Sequence, residues 1–386
     1  MNDYIYKTPD GTRDFLFEEC EIHNHVKLAL SGVFKSRGYQ EVITPALENY
    51  DLFSLQSAGL LQEDMYKLVD GKGHLLVLRP DITMPIARLA STRLKDEELP
   101  IRLFYNQRVF RVNQSFKGKR NEINQSGVEL IGAEGLLADL EILTMAIESL
   151  RACKVKDFTI EIGHAGIFKK LAEALPATIA VKERIRAYIE NKNYSALEDE
   201  LDRLEESRTV NALKNLPRMF GGNEVLEMLE ALCGDIVCDE ISALNNLLNA
   251  LNPVYGDKIR LDLGLVHRNN YYTGMVFQGY TKGSGESVVS GGRYDKLFSE
   301  FGKDIPAIGF AVNTDFLYDQ LTTEIKKSDL LIFAVKGAEM QALEYMNSQI
   351  EKGNTCEIMP YKSDEQVENT IKKRGVKKYI VIGRVS

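Results

Sequence analysis

Residues 102–132 combine polar side chains that could hold a ligand with the apolar pattern of two β-strands. Arg108, Arg111, Gln125 and Glu129 stand among apolar residues on either side of a basic, glycine-containing loop. By spacing alone, the segment also fits an edge hairpin with a solvated loop. Buried polar groups need hydrogen-bond partners, and a ligand can supply them, so the density of polar residues favours a binding site.

Other elements must position this hairpin. Apolar residues at helical spacing predict a helix over 16–37, ended by Gly38, and a strand over 41–44 closed by Pro45. Glycines are predicted to mark turns at positions 279, 283, 285, 291 and 292. Further predicted strands lie at 75–78, 103–111, 128–131, 158–162, 259–266 and 275–280, and further helices at 138–153, 293–301 and 314–321.

The pattern changes twice along the chain. Residues 165–251 are charged and rich in Leu and Ala, with almost no β-branched runs, which predicts an inserted helical subdomain. Residues 328–386 alternate strand, helix, strand, helix and strand, which predicts a small C-terminal α/β domain. The main domain is therefore expected to span 1–320, with the insertion inside it.

Composition narrows the functional classes. The 386 residues are 44% apolar and carry a formal charge of -8, so no global attraction for nucleic acid is expected. The sequence has no apolar run long enough to cross a membrane and no CxxC pair, and its five histidines are dispersed. We therefore expect a cytoplasmic protein with reduced thiols, and neither a metal site nor a cofactor.

Six stretches, in order, resemble the catalytic domain of histidyl-tRNA synthetase, a class II aminoacyl-tRNA synthetase. The helix and strand ending at Pro45 resemble motif 1, the dimerisation element, and the hairpin with QSGVE at 125–129 resembles motif 2. The resemblance covers residues 8 to about 320 and implies an α+β fold, with an antiparallel sheet flanked by helices. The other matching stretches are TPDGTRD at 8–14, LRPDIT at 78–83, YYTG at 271–274, and GGRYD at 291–295 with PAIGF at 306–310.

The resemblance also implies a histidine-binding pocket. Glu129 and Tyr271 would pair with the imidazole, and Tyr272 would wall the pocket. Asp81 is one methylene shorter than the synthetase's glutamate at that position and could reach the ammonium through a water. The implied histidine-binding residues are Asp81, Thr83, Arg111, Gln125, Glu129, Tyr271 and Tyr272, with Arg268 as a possible carboxylate contact.

Departures from the synthetase pattern concentrate on ATP chemistry. Asn113 stands where the family carries the glutamate that reads adenine. The stretch NTDF at 313–316 stands where motif 3 of the family reads GLER, so Phe316 replaces the arginine that holds the γ-phosphate. His267 stands at the position of the catalytic arginine, with Arg268 one position away. Losing one such donor costs on the order of 10²- to 10³-fold in rate, so a competent synthetase is not expected.

A histidine pocket without activation chemistry resembles the regulatory subunit family of ATP phosphoribosyltransferase, a paralogue of the synthetase. That resemblance implies a non-catalytic chain that pairs with a short-form catalytic subunit, activates it and transmits feedback inhibition by histidine. It also implies a homodimer within a hetero-oligomer, a hetero-octamer in the family. A divergent histidyl-tRNA synthetase and a histidine sensor with another protein partner remain open.

Two other features have simpler interpretations. A lone histidine after a strand, such as His164, is more often a satisfied turn residue than a ligand contact. The glycine pair before Arg293 could suggest phosphate binding, but it is more often a turn, and the resemblance makes it sheet scaffolding near the pocket.

Overall fold

The computed structural model describes residues 3–55, 61–113, 120–266, 271–283, 285–318, 321 and 328–384. The chain divides into two compact units, residues 1–322 and 323–386. The α-helices are α1 Glu18–Ser36, α2 Tyr50–Phe53, α3 Thr83–Thr92, α4 Gly135–Ala152, α5 Ala165–Ala174, α6 Ile179–Glu190, α7 Tyr194–Leu201, α8 Arg208–Asn215, α9 Glu224–Tyr255, α10 Asp315–Tyr318, α11 Glu339–Glu351 and α12 Asp364–Arg374.

The strands form three sheets. The largest has nine strands in the order β1-β5-β6-β12-β11-β10-β7-β9-β8, and the others have three each, β2-β4-β3 and β14-β13-β15. The bounds are β1 Gln40–Glu41, β2 Leu47–Asn49, β3 Lys67–Val69, β4 Leu75–Leu78, β5 Ile101–Phe110, β6 Glu122–Ile131, β7 Phe158–His164, β8 Phe220–Gly221, β9 Ile259–Asp262, β10 Met275–Thr281, β11 Val289–Arg293, β12 Ala307–Asn313, β13 Leu330–Ala334, β14 Cys356–Pro360 and β15 Tyr379–Ile382.

The nine-stranded sheet is mostly antiparallel, as expected, but two pairs are parallel. β1 runs parallel to β5 and β7 runs parallel to β9, whereas the β5–β6 hairpin and the neighbouring β12, β11 and β10 are antiparallel. The sheet is therefore mixed, and its antiparallel centre contains both strands of the polar hairpin.

Helices cover one face of this sheet. On α1, Ile22, Val26, Leu30 and Phe34 recur every four residues and are all buried, because this spacing places them on one side of the helix. The ring of Phe34 lies 5.6 Å from that of Phe104 on β5, measured between centroids. Helices α4 and α9 complete the same core. The opposite face carries a second core with α3, and Gln125 and Glu129 of the hairpin line a cavity on that side. Arg108 lies on the helix-covered face instead, where it donates to Asn124 and Glu122.

Five helices, α5 to α9, follow one another between residues 165 and 255. They are interrupted by β8, which pairs with β9 at the edge of the large sheet. Helix α9 bends where Cys233 and Val237 leave helical geometry.

The second unit is a three-stranded parallel sheet with one helix on each face. Along β13, Leu330 and Ile332 pack on the side of α11, whereas Leu331 and Phe333 face Val367 of α12. Side chains alternate between the faces of a strand, so a central strand covered on both faces is apolar throughout.

Several sequence expectations were wrong in detail. Gly279 lies inside β10, and Gly291 and Gly292 lie inside β11, not at turns. A Cβ at 291 would lie 2.5 Å from the carbonyl oxygen of Gly309, so glycine there reflects close strand packing. Arg293 is the last residue of β11. Of the helix predicted over 293–301, only residues 297–301 are helical, and they form a short 3-10 helix.

Element bounds also differ. The strand predicted over 41–44 is reduced to β1, and the one predicted over 259–266 ends at Asp262. The helix predicted over 314–321 is present as α10, with residues 319 and 320 outside the described part of the chain. β12 was not predicted at all.

Candidate functional site

The seven implied site residues that the structure describes line one cavity of about 210 Å³, which we call the sheet pocket. Asp81 and Thr83 come from the start of α3, Arg111 follows β5, and Gln125 and Glu129 lie on β6. Tyr271 and Tyr272 precede β10. Arg268, like its neighbours 267, 269 and 270, lies outside the described residues. Residues distant in sequence therefore meet at one place on the sheet.

Glu129 is the buried acid at the centre of this pocket, with 2% of its surface exposed. The Thr83 hydroxyl donates to its Oε1 at 2.8 Å, and the Tyr294 hydroxyl donates to its Oε2. Burial raises the pKa of Glu129 to about 8, although both hydrogen bonds act to lower it. The Glu129 carboxyl group is therefore largely protonated near neutral pH.

Asp81 and Arg111 place an acidic and a basic side chain in the same pocket. Asp81 Oδ1 accepts from the backbone N–H of Met84 at 3.0 Å, in the first turn of α3, and burial raises its pKa while Arg111 acts to lower it. Arg111 donates from Nε to the carbonyl of Pro80 at 2.8 Å, which fixes the guanidinium beside the cavity. The two groups can bind the opposite charges of a zwitterion.

Tyrosine rings form the wall of the sheet pocket. The Tyr271 ring lies 4.6 Å from that of Tyr272 and 5.8 Å from that of Tyr294, measured between centroids. Lys169 of α5 donates to the backbone carbonyl of Tyr272 at 2.6 Å, which connects the wall to the helical region. These rings are tilted or edge-on to one another, and together they form an aromatic wall against which a planar ligand ring can pack.

Sequence reasoning missed several lining residues. Tyr294 lies within the GGRYD stretch, for which the resemblance implies only sheet scaffolding near the pocket. Tyr105 lies under Gly127, where a Cβ would overlap its hydroxyl group. Side-chain alternation from Tyr105 to Val109 on β5 was the available signal, because both belong to the same buried face. The remaining missed lining residues are Gln278, Ser287, Ser290, Gly291, Gly309, Phe310 and Ala311.

At positions where the resemblance implies ATP contacts in the synthetase, the side chains of this chain contact other residues of the same chain. The Asn113 side chain donates to the carbonyl of Arg120 at 2.7 Å and so joins the two ends of the motif 2 loop. Asp315 is buried, accepts from the side chain of Asn124 at 2.9 Å and pairs with Arg120 at 3.1 Å. Phe316 packs against the main core. These residues stabilise the fold at the place where the synthetase needs cations.

Two other expectations concern residues away from the pocket. His164 Nδ1 accepts from the backbone N–H of Gly166 at 3.1 Å and caps α5, which is a structural role. Arg293 is buried and pairs with Asp139 at 2.6 Å.

The described part of the chain contains neither a metal-ligand cluster nor a membrane-spanning helix. No three His, Cys, Asp or Glu side chains within the described ranges come together as metal ligands. Among the helices that the structure describes, none has the length and apolar character needed to span a bilayer.

Comparison with known proteins gives matches to histidyl-tRNA synthetase and to ATP phosphoribosyltransferase regulatory subunits. The family model for histidyl-tRNA synthetase matches residues 11–317. An ATP phosphoribosyltransferase regulatory subunit from Clostridium kluyveri is 38% identical over 379 residues, which cover 96% of this chain and 97% of the relative. One from Bacillus cereus is 41% identical over 344 residues, covering 86% of this chain and 81% of the relative.

Solved structures confirm the predicted synthetase-like fold. A protein from Bacillus halodurans, described as an ATP phosphoribosyltransferase regulatory subunit/histidyl-tRNA synthetase, superposes with a TM-score of 0.87 at 30% identity, covering 99% of both chains. Histidyl-tRNA synthetase from Nostoc gives a TM-score of 0.78 at 20% identity over 96% of this chain and 90% of that one, a likeness of fold alone. The chain belongs to the family of ATP phosphoribosyltransferase regulatory subunits, which are non-catalytic and built on the histidyl-tRNA synthetase fold.

Proposed function

We propose that this chain activates a short-form ATP phosphoribosyltransferase in the cytoplasm, the enzyme of the first step of histidine biosynthesis, and makes it sensitive to histidine. One observation carries the histidine part of the proposal. Asp81, Arg111 and Glu129, from three separate segments, line a single cavity of about 210 Å³ walled by tyrosines.

Asp81 and Arg111 of the sheet pocket suit the ammonium and carboxylate groups of a free amino acid. Arg111 is the cation among the described residues that line the cavity, so it takes the carboxylate. Asp81 and Gln125 accept from the ammonium. The hydroxyl hydrogen of Thr83 is directed to Glu129, but its oxygen can still accept a hydrogen bond from the same ammonium.

The opposite end of the sheet pocket suits an imidazole. A neutral imidazole has one donor and one acceptor nitrogen. The protonated Glu129 carboxyl can donate to the acceptor nitrogen, and the Tyr271 hydroxyl can accept from the N–H. If the proton moves to the ring, an imidazolium faces a carboxylate and both hydrogen bonds remain. This pairing selects histidine over apolar amino acids, which would offer the proton of the Glu129 carboxyl no acceptor.

Exposed apolar residues support the homodimer that the motif 1 resemblance implies. Ile43, Leu28 and Leu47 lie in or beside that region, with 82%, 71% and 47% of their surfaces exposed. Exposed apolar groups in one region are typical of protein interfaces. By resemblance, this homodimer takes part in a hetero-octamer with the catalytic subunit.

Regulation then follows from differential affinity. Histidine in the sheet pocket favours one of two arrangements of the dimer, and the bound transferase prefers the other. Each ligand changes the affinity for the other by the same factor, as linkage requires.

The deciding experiment mixes this chain with a short-form ATP phosphoribosyltransferase and measures activity with and without histidine. We expect activation, and inhibition by histidine that is lost in Glu129→Ala. Inhibition that persists unchanged in Glu129→Ala would show that the pocket is not the histidine site. Activity of the transferase that does not respond to the chain would contradict the regulatory role.

Two alternative functions have separate tests. A divergent histidyl-tRNA synthetase predicts histidine-dependent exchange between ATP and pyrophosphate, and no exchange at high protein concentration would exclude it. A histidine sensor with another partner predicts that a different protein co-purifies from the cell.

A further inference from the structure

A second and larger cavity, of about 500 Å³, lies on the helix-covered side of the sheet. It is bounded by the start of α4, the middle of α9 and the segment after β11. One wall is apolar, formed by Ala243, Leu244 and Leu247 of α9 with Met275 and Pro306. The other wall is acidic, and we call the cavity the acidic groove. None of its lining residues belongs to the sheet pocket.

The charge of the groove is unbalanced. Its charged lining residues are four carboxylates and two cations, a net formal charge of -2. His164 adds no charge at neutral pH, because burial lowers its pKa to about 4. The carboxylates are Glu134, Asp139, Asp295 and Asp304, and the cations are Arg293 and Lys296.

The two cations already have partners. Arg293 pairs with Asp139 at 2.6 Å and with Asp295 at 3.2 Å, and Lys296 pairs with Asp304 at 3.3 Å. Glu134, at the N-cap position of α4, is exposed and makes no side-chain cap hydrogen bond. A cation entering the groove would therefore meet the exposed carboxylate of Glu134, and that of Asp304, whose ion pair with Lys296 is itself exposed to solvent.

Two exposed leucines follow the lining residue Gly135 at the start of α4. They are Leu136 and Leu137, with 40% and 79% of their surfaces exposed. Apolar surface beside acidic residues fits an amphipathic protein segment with basic side chains better than a small ion, since leucines contribute nothing to ion binding.

We infer that the acidic groove docks a basic, amphipathic segment of the partner enzyme, an inference that rests on the proposed regulatory function. Lysine or arginine side chains of that segment would meet Glu134 and Asp304, and its apolar side chains would cover Leu137 and the α9 wall. Electrostatic complementarity of this kind sets specificity and association rate.

The groove is joined to the sheet pocket through consecutive residues. Arg293 and Tyr294 point to opposite sides, as neighbours along an extended chain do. Arg293 pairs with Asp139 in the groove, whereas the Tyr294 hydroxyl donates to Glu129 in the pocket. Thr273 Oγ1 accepts from the backbone N–H of Asp295 at 3.0 Å, one residue after the wall tyrosine Tyr272. A partner that displaces Arg293 or Asp295 acts directly on pocket residues.

The test uses the full chain and measures its affinity for a short-form ATP phosphoribosyltransferase as a function of salt. Glu134→Gln/Asp304→Asn removes two charges without touching the Arg293 ion pairs, and Glu134→Lys/Asp304→Lys reverses them. The matched control is Glu227→Lys/Glu230→Lys, two exposed acids on the same helix that walls the groove. Calorimetric titration of histidine into each isolated variant reports whether the sheet pocket is intact.

We expect neutralisation to weaken partner affinity about tenfold, with a shallower salt dependence, and reversal to weaken it further. The control should bind the partner as the wild type does, and histidine affinity should stay unchanged in all variants. Equal partner affinity in wild type and groove variants would overturn the inference while leaving the regulatory function standing. A change in the oligomeric state of the isolated chain, with partner affinity intact, would also overturn it. If the wild-type chain binds no transferase, that result would contradict both the proposed regulatory function and the assignment of the transferase as the partner of the groove.

Discussion

Gly309 on β12 lies directly opposite Glu129 on β6, and its missing side chain leaves the space that the Glu129 carboxyl group occupies. A Cβ at this position would overlap Glu129 Oε2. The buried acid and the glycine facing it are therefore one feature, and the pocket needs both.

Gly309→Ala should displace Glu129 and weaken histidine binding at least tenfold, with a loss of stability of about 1 to 3 kcal/mol from overpacking. Gly71→Ala is the matched control, because Gly71 lies in the turn between β3 and β4 with no atom near its missing Cβ. The control should leave the melting temperature and histidine binding nearly unchanged. Calorimetry and thermal unfolding measure both effects. Wild-type histidine affinity in Gly309→Ala would contradict the assigned role of Glu129.

Stability without ligand should fall with rising pH because of Glu129. The pKa of this carboxyl is about 8 in the folded chain against an ordinary value of 4.5, so between these values the folded state holds the extra proton. Unfolding free energy then decreases with pH, by up to about 1.4 kcal/mol per unit for this one group. Glu129→Gln cannot release a proton, so its melting temperature should decline less from pH 5 to pH 8. Parallel curves for the two proteins would contradict a protonated Glu129.

Substitutions at Arg111 and Asp81 should affect the binding of histidine and histamine differently, because histamine lacks the carboxylate. Arg111→Gln should weaken histidine binding about 10- to 100-fold, the effect of one charged hydrogen bond, and leave histamine binding almost unchanged. Asp81→Asn should weaken both ligands, since both carry the ammonium. Competition titrations with the two ligands measure this pattern. Equal losses for histidine and histamine in Arg111→Gln would place the carboxylate elsewhere.

The resemblance to histidyl-tRNA synthetase predicted that the pocket residues lie in one site, which hydrophobic periodicity alone could not predict. Asp81, Gln125 and Tyr271 are far apart in sequence, and only a template for the whole fold joins them. Local patterns did predict α1 and β4 closely, since α1 carries a one-sided apolar stripe and β4 is a short apolar run bounded by polar residues. The C-terminal α/β elements were equally clear, because β13 and β15 are apolar throughout and β14 carries a single charged residue, Glu357.

Local patterns failed where tertiary packing decides the structure. β11 reads VSGGR, and two glycines in sequence favour a turn, yet close contact with Gly309 and Tyr272 keeps them in a strand. The first half of β6 is mostly polar because its side chains have specific partners: Glu122 and Asn124 accept from Arg108, and Gln125 lines the sheet pocket. Tyr294 was missed for the same reason, since its role depends on a hydrogen bond across the sheet.

Phe316→Arg should not restore amino-acid activation. The substitution returns the motif 3 cation that the resemblance identifies, but Asn113 still joins the ends of the motif 2 loop and Arg120 still pairs with Asp315. The introduced guanidinium would also compete with Arg120 for that buried carboxylate. We expect no histidine-dependent exchange between ATP and pyrophosphate, measured beside an active histidyl-tRNA synthetase as positive control. Detectable exchange would mean that the remaining ATP contacts are intact.

Two equally exposed isoleucines allow the proposed homodimer to be tested with a matched pair. Ile43, after β1 in the motif 1 region, is 82% exposed, and Ile179, at the start of α6, is 86% exposed. Ile43→Asp should place a charge in the interface and yield monomers at micromolar concentration in sedimentation velocity. Ile179→Asp should remain dimeric, because it changes an equal apolar area outside that region. Since regulation is proposed to act through the dimer, Ile43→Asp should also lose histidine inhibition of the transferase while retaining histidine binding. A dimeric Ile43→Asp would show that the subunits associate through another surface.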